Sequence, residues 1–208
     1  MNVATMKLVI LDRDGTINHD SDDYIKSPEE WVALDGALEA IARLNHAGWH
    51  TVVATNQSGL ARGLFGIETL NAMHAKMNRE LAEVGGRIDA VFFCPHGPDE
   101  GCACRKPRPG LFSMIGERYG LDLAAVHVVG DKLGDLQAGA SVGCIPHLVR
   151  TGKGAALDAA ALDALVASVP GTRVHADLAA FAQHLLQGER RERGDAEETD
   201  SVFGKLSG

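Results

Sequence analysis

Two aspartates, Asp12 and Asp14, close the apolar run Leu8-Val9-Ile10-Leu11, and Gly15-Thr16 follows them. Aspartate is depleted in strands, and two carboxylates this close repel when both are ionised. A divalent cation relieves that conflict and leaves one carboxylate free to attack an electrophile. On its own the segment also reads as a turn, since Asp-Gly is good turn chemistry. Three later segments carry matching chemistry. Thr55-Asn56-Gln57-Ser58-Gly59 offers a hydroxyl and free main-chain N–H groups suited to a phosphoryl oxygen. Arg105-Lys106-Pro107 supplies cations, and Gly130-Asp131-Lys132-Leu133-Gly134-Asp135 supplies further carboxylates. Each piece has a bland alternative: an ST-turn at Thr55, a solvated basic pair at Arg105-Lys106, a helix N-cap at Asp135. Their joint arrival after successive strands argues for one site.

A second constellation is Cys94-Pro-His96, then five residues, then Cys102-Ala-Cys104. Three sulfurs and one imidazole make a closed Cys₃His set, the donor pattern of structural Zn²⁺ with no open coordination position. Arg105 and Lys106 follow Cys104 directly, so a metal-fixed loop would hold both cations with little conformational freedom. Cys144 reads as a buried packing residue. The other eight histidines read as ordinary surface or partly buried residues.

Alternating strand and helix patterns must position these groups. Strands are expected over residues 6–11, 50–54, 90–93, 126–129 and 145–149, with a short one over 172–175. Helices are expected over 36–47, 67–84, 109–119, 134–140, 155–169 and 177–186. In residues 36–47 Leu38, Ile41, Ala42 and Leu44 form one apolar stripe, with Gly48 as the C-cap. This order predicts an α/β fold with a parallel, doubly wound sheet. Ligands bind such sheets at the carboxyl ends of the strands, where all four segments lie. Glu189–Asp200 is a mixed charge run without an apolar face. The expected organisation is therefore one domain over residues 1–188, with the zinc loop at 94–104, and a charged, flexible tail over 189–208.

The bulk properties agree. The 208 residues are 45% hydrophobic and 23% charged, which suits one globular domain. A net charge of −8 gives no global field for nucleic acid or an anionic membrane. No stretch approaches transmembrane length and Met1–Ile10 lacks a signal-peptide core, so a cytoplasmic location is expected.

On Asp12-x-Asp14-Gly15-Thr16, Thr55, Lys106 and Gly130-Asp131-x-x-x-Asp135, the chain resembles phosphatases of the haloacid dehalogenase superfamily across about residues 6–153. The resemblance implies a Rossmann-like fold of that superfamily, with the zinc-stabilised loop in place of a large cap domain. It implies that Asp12 is the nucleophile and forms an aspartyl-phosphate. Asp14 would protonate the leaving alkoxide and then deprotonate water. Mg²⁺ would be held by Asp12, Asp131 and the main-chain carbonyl of Asp14. Thr55 and Lys106 would bind the transferring phosphoryl group, and Asp135 would orient the metal site or Lys106. Asn56, Gln57, Ser58, Arg105 and Lys132 are the expected substrate-binding residues.

The Cys-x-His…Cys-x-Cys-Arg-Lys-Pro loop narrows the resemblance to two branches, heptose bisphosphate phosphatases and histidinol-phosphate phosphatases. Asn56–Gly63, Gly130–Leu133 and Val149–Lys153 resemble the first, which implies a monomeric enzyme acting on a small sugar bisphosphate. Its product would serve ADP/GDP-heptose synthesis for the lipopolysaccharide core. The five-residue spacer before Cys102 resembles the second branch. A bisphosphate needs a second cationic site, for which Arg105, Arg150 and Lys153 are candidates. Asp20, Asp22 and Asp23 could meet an ammonium or sugar hydroxyls instead.

Overall fold

The structure, a computed structural model, describes residues 6–204, with side chains described through residue 191. Its centre is β1 (Leu8–Leu11), whose four residues are all buried. Alternate residues face opposite ways along a strand. Val9 and Leu11 therefore pack on one side of the sheet, and Leu8 and Ile10 on the other.

Five more strands run parallel to it: β2 (His50–Asn56), β3 (Ala90–Cys94), β4 (His127–Gly130), β5 (Ile145–Val149) and β6 (Arg173–His175). The order across the sheet is β3-β2-β1-β4-β5-β6. The connection reverses direction at β1, between β2 and β4, and that is where a doubly wound sheet opens its ligand crevice.

Helices cover both faces, as a parallel sheet requires. On one face lie α1 (Ala37–His46), α2 (Ile67–Glu83) and α6 (Leu178–Gly204). Leu70, Met73, Met77 and Leu81 make the single buried stripe of α2. On the other face α3 (Gly110–Tyr119) and α4 (Leu133–Ala140) pack on Leu8, Ile10, Val52 and Val128. The remaining helix, α5 (Ala159–Ser168), packs its Leu165 with Leu136 and Leu148. Cys144 is buried in the second cluster, as expected. The span from β3 to α3, which holds the cysteine–histidine loop expected to bind zinc, leaves no room for a folded cap domain.

Three expectations need correction. The helix expected over 155–169 starts later. Residues Gly152–Ala156 form a 3₁₀ turn, and α5 begins behind Asp158, whose carboxylate accepts from Ala161 N at 2.8 Å. The last helix does not stop at Leu186, since its backbone continues to Gly204. The charge run lacks an apolar face but is rich in Glu and Arg, both strong helix formers. Lys7 Nζ meets Glu189 at 2.6 Å, so the expected tail is tied down at its first residue. Residues 205–208 lie outside the described residues.

Three histidines are also not ordinary. His127 on β4, His147 on β5 and His175 on β6 form a ladder across the strands, with ring nitrogens 2.9 and 3.0 Å apart. The Phe181 ring of α6 stands edge-on to His147, with centroids 4.8 Å apart. Burial pushes the three imidazoles down to about 4, 2 and 4 respectively, so they are neutral near pH 7.

Candidate active site

Asp12 leaves β1 with its main-chain N–H bonded to Val129 O of β4 at 2.9 Å, so the ends of the two strands are in register. Its side chain is 2% exposed. Oδ1 accepts from Lys106 Nζ at 2.8 Å, and Oδ2 lies 3.1 Å from Lys132 Nζ. Burial pushes the Asp12 carboxyl up, but the two ammonium groups together hold it well below the usual range. Asp12 is therefore ionised while buried, the state a carboxylate nucleophile needs.

Lys106 is locked in place. Its ammonium also donates to Ala54 O at 2.6 Å and pairs with Asp135 Oδ1 at 2.7 Å. Burial opposes its charge, but Asp12 and Asp135 raise its pKa overall. Asp135 pairs with Lys106 and so can orient it, one of the two tasks expected of it. Asn56 works on the same residue. Its Oδ1 accepts from Lys106 N at 3.1 Å and its Nδ2 donates to Lys106 O at 3.0 Å. Both ends of the Asn56 amide are thus spent on the lysine's main chain, not left free for substrate.

The three carboxylates Asp12, Asp131 and Asp135 bring donor atoms within 4.8 Å of one another. They outnumber the two lysines by one charge. Asp131 Oδ2 accepts from Lys153 N at 2.7 Å, whereas Oδ1 has no hydrogen-bond partner among the described residues. Burial, reinforced by Asp12 and Asp135 and opposed by Lys132, pushes Asp131 up to about 7. A buried set of hard oxygens with surplus negative charge and a free donor atom fits a divalent cation such as Mg²⁺. Gly15 is required here. Its φ is +81°, and a Cβ would overlap the Asp131 carboxylate.

Asp14 sits beside this cluster in a shell of donors. Oδ1 accepts from Arg13 Nε at 3.0 Å, from the second Arg13 terminal nitrogen at 2.8 Å and from Asn18 Nδ2 at 2.9 Å. Oδ2 accepts from that same Arg13 nitrogen at 3.0 Å and from Gln57 Nε2 at 2.9 Å. Gln57 also reaches Thr55 Oγ1 at 2.9 Å, which joins the β2 end to the β1 end. Ser58 is buried in the same loop, with its carbonyl accepting from Arg62 N. Arg13, Asn18 and His74, which touches Arg13, escaped the sequence reading. Asn18 stands four residues after Asp14, whereas the bond that gives Arg13 its place comes from His74 on α2.

The four residues expected to bind zinc converge. Cys94 Sγ, His96 Nδ1, Cys102 Sγ and Cys104 Sγ lie within 4.8 Å of one another. Neighbouring pairs are 3.2–3.6 Å apart. A zinc–sulfur tetrahedron has edges of about 3.8 Å, so a small expansion accepts the ion. Burial and hydrogen bonding from Cys104 push the Cys94 thiol up to about 12. Cys102, although partial burial opposes it, is drawn down to about 7 by the Arg105 main-chain N–H and neighbouring thiols.

Among the candidates for a second phosphate site, Arg150 is bonded to the chain that follows it. Its guanidinium donates to Gly154 O at 2.9 Å and Leu157 O at 2.8 Å and so fixes the turn before α5. Lys153 pairs with Asp22 and lies 3.8 Å from Asp20, on the wall of a 290 Å³ cavity shared with His19. Arg105 donates to His96 O at 3.2 Å and lines a separate 260 Å³ cavity together with Lys106.

A HAD-hydrolase-like family model matches residues 103–181. A D-glycero-beta-D-manno-heptose-1,7-bisphosphate 7-phosphatase from Bordetella bronchiseptica is 60% identical over 183 residues, covering 88% of this chain and 99% of the relative. The chain belongs to the heptose-bisphosphate phosphatase family. A second member, from Pseudomonas aeruginosa, is 52% identical over 86% of this chain and 98% of its own length. The crystal structure of the Bordetella bronchiseptica D,D-heptose 1,7-bisphosphate phosphatase, complexed with magnesium and phosphate, superposes with a TM-score of 0.81. It is 59% identical, over 88% of this chain and 99% of that one. Heptose-bisphosphate phosphatases are phosphoric monoester hydrolases, and this chain is one of them. The histidinol-phosphate alternative is not favoured, whatever the short zinc-loop spacer suggested. Among the described residues no helix is long and apolar enough to cross a membrane.

Proposed function

We propose that the chain hydrolyses the C7 phosphate of D-glycero-D-manno-heptose 1,7-bisphosphate through an aspartyl-phosphate on Asp12. The observation that carries this reading is a buried, ionised Asp12 held between Lys106 and Lys132 at the crevice of the sheet. The names of the relatives support the bisphosphate, and their "beta" supports the β-anomer. The sugar product would feed nucleotide-activated heptose synthesis for the lipopolysaccharide core.

Asp12 attacks phosphorus in line with the leaving C7 oxygen. Lys106 and the Thr55 hydroxyl bind the phosphoryl oxygens where charge develops. Asp14 gives its proton to the departing alkoxide as the P–O bond breaks, then takes one from the water that cleaves the acyl phosphate. Asp12, Asp131 and the Asp14 carbonyl would hold Mg²⁺, which supplies charge neutralisation for the incoming phosphate dianion. Structural Zn²⁺ on Cys94, His96, Cys102 and Cys104 would hold Arg105 and Lys106 in place. Gln57, Ser58, Arg105 and Lys132 line the approach for substrate. Residues 1–188 form the catalytic domain and 189–208 an appendage, in a cytoplasmic monomer.

Phosphate release from both anomers of the heptose bisphosphate and from histidinol phosphate, with and without Mg²⁺, tests the substrate. The expected ranking of kcat/KM places the β-bisphosphate first, with no turnover after chelation. Asp12→Asn should abolish turnover and phosphoenzyme trapping while the fold persists. A preference for histidinol phosphate, or phosphate captured on another residue, would refute the reading.

A further inference from the structure

The Arg13 side chain is buried, at 1% exposure, while that of its partner Asp14 is 16% exposed. The pair therefore presents its carboxylate edge to the crevice and its guanidinium to the interior. Arg13 spends Nε and one terminal nitrogen on Asp14, a fork matched to a carboxylate. Its other terminal nitrogen lies 3.4 Å from His74 Nε2, on the α2 face turned to the sheet. Arginine only donates, so Nε2 must accept and Nδ1 must carry the imidazole proton. Burial, with the Arg13 charge adding to it, pushes His74 down to about 4, which keeps that lone pair available at neutral pH. Without an acceptor there, a buried guanidinium would have a donor to satisfy elsewhere, at the expense of its alignment on Asp14.

We infer that His74 is a positioning residue, which by accepting from Arg13 holds the guanidinium fork on Asp14 and so sets the angle at which Asp14 meets the leaving oxygen. The inference rests on the proposed acid–base role of Asp14. Asn18 and Gln57 brace the same carboxylate from the two sides. His74 touches neither phosphate nor metal ligand in this arrangement. Its effect passes through Arg13 alone.

Leaving-group dependence separates this role from a merely structural one. A sugar alkoxide needs Asp14's proton to depart, whereas the phenolate of 4-nitrophenyl phosphate leaves without one. The ratio kcat/KM covers only the steps through aspartyl-phosphate formation, so the later water step does not blur the comparison. His74→Phe keeps the volume but removes the acceptor. It should lower kcat/KM on the heptose bisphosphate about tenfold and leave 4-nitrophenyl phosphate within about twofold. His74→Gln, which retains an acceptor, should recover most of the loss. Arg13→Lys keeps the charge but loses the fork, and should show the same split between substrates.

An equal loss on both substrates in His74→Phe, or no loss on either, overturns the inference. So does a split in Arg13→Lys with none in His74→Phe. If His74→Phe does not fold, His74→Gln at wild-type kcat/KM with a split in Arg13→Lys supports the inference, and no split in Arg13→Lys overturns it. Asp14→Asn serves as the reference. If Asp14→Asn itself damages both substrates equally, the acid–base reading of Asp14 has failed. If it splits them and His74→Phe does not, only the inference about His74 has failed.

Discussion

The ammonium of Lys106 and the carboxylate of Asp12 meet at 2.8 Å, although 94 residues separate them in the chain. Both groups are buried, and Asp135 shares the same ammonium. The pair forms part of the chemical site and of the domain's interior at once.

Lys106→Met should therefore do two kinds of damage. It removes the proposed phosphoryl-binding cation and leaves Asp12 and Asp135 buried without their shared partner. Breaking a buried ion pair this way costs about 3–5 kcal/mol. A large fall in denaturant midpoint alongside loss of turnover is the expected result. Wild-type stability with lost turnover would mean that water reaches and solvates the two carboxylates.

Zinc removal should lower stability and activity together. Metal analysis of the purified protein should find about one zinc per chain, bound apart from the catalytic Mg²⁺. Cys102→Ser should lower the melting temperature and kcat while Mg²⁺ titration still restores what activity remains. A zinc-free preparation that melts and turns over normally would remove the loop from the mechanism.

Acid sensitivity should come from the histidine ladder. His127, His147 and His175 have native pKa values below the 6.5 of the free side chain. The unfolded chain therefore binds more protons below pH 6.5. Stability is complete above that value and is lost as pH falls toward 4, by up to about 1.4 kcal/mol per pH unit for each histidine. Melting curves from pH 7.5 to 4.5 should show this slope, and a His127→Phe/His147→Leu double variant should flatten it. An unchanged slope would place the acid sensitivity on other groups.

Arg105 is the candidate for the second phosphate or the polyol. Arg105→Ala should reduce kcat/KM for the heptose bisphosphate about ten- to two-hundred-fold, the worth of one charge-assisted contact. A simple monophosphate ester should lose much less. Equal losses would show that Arg105 acts through its bond to His96 O, on the zinc loop itself.

The parts legible in the sequence were those where local pattern and chemistry coincide. Asp12 and Asp14 follow an apolar run that can only be a buried strand, and Cys94-Pro-His96 carries its own spacing rule. Apart from the end of the last helix, strand and helix positions came within a few residues for the same reason. Arg13 was illegible because its partner His74 arrives from α2, 61 residues later. The histidine ladder was illegible because it depends on register. Parallel pairing sets His147 beside Val129, close enough for its ring to reach His127, and only the folded sheet reveals that. The extension of α6 was missed because an absent apolar stripe was read as absent helix, although propensity alone can carry a helix outward from a docked first half.

The strand order carries a consequence for biosynthesis. β1 emerges early, but its neighbours in the sheet are β2 and the much later β4. A chain stopped before Asp131 would hold Asp12 without Lys132, without Asp135 and without the Asp131 carboxylate expected to hold the cation. Catalysis would begin only when the second half of the chain slots in beside β1. An unfinished chain would thus be chemically silent, and the first turnover would report that the central sheet has closed.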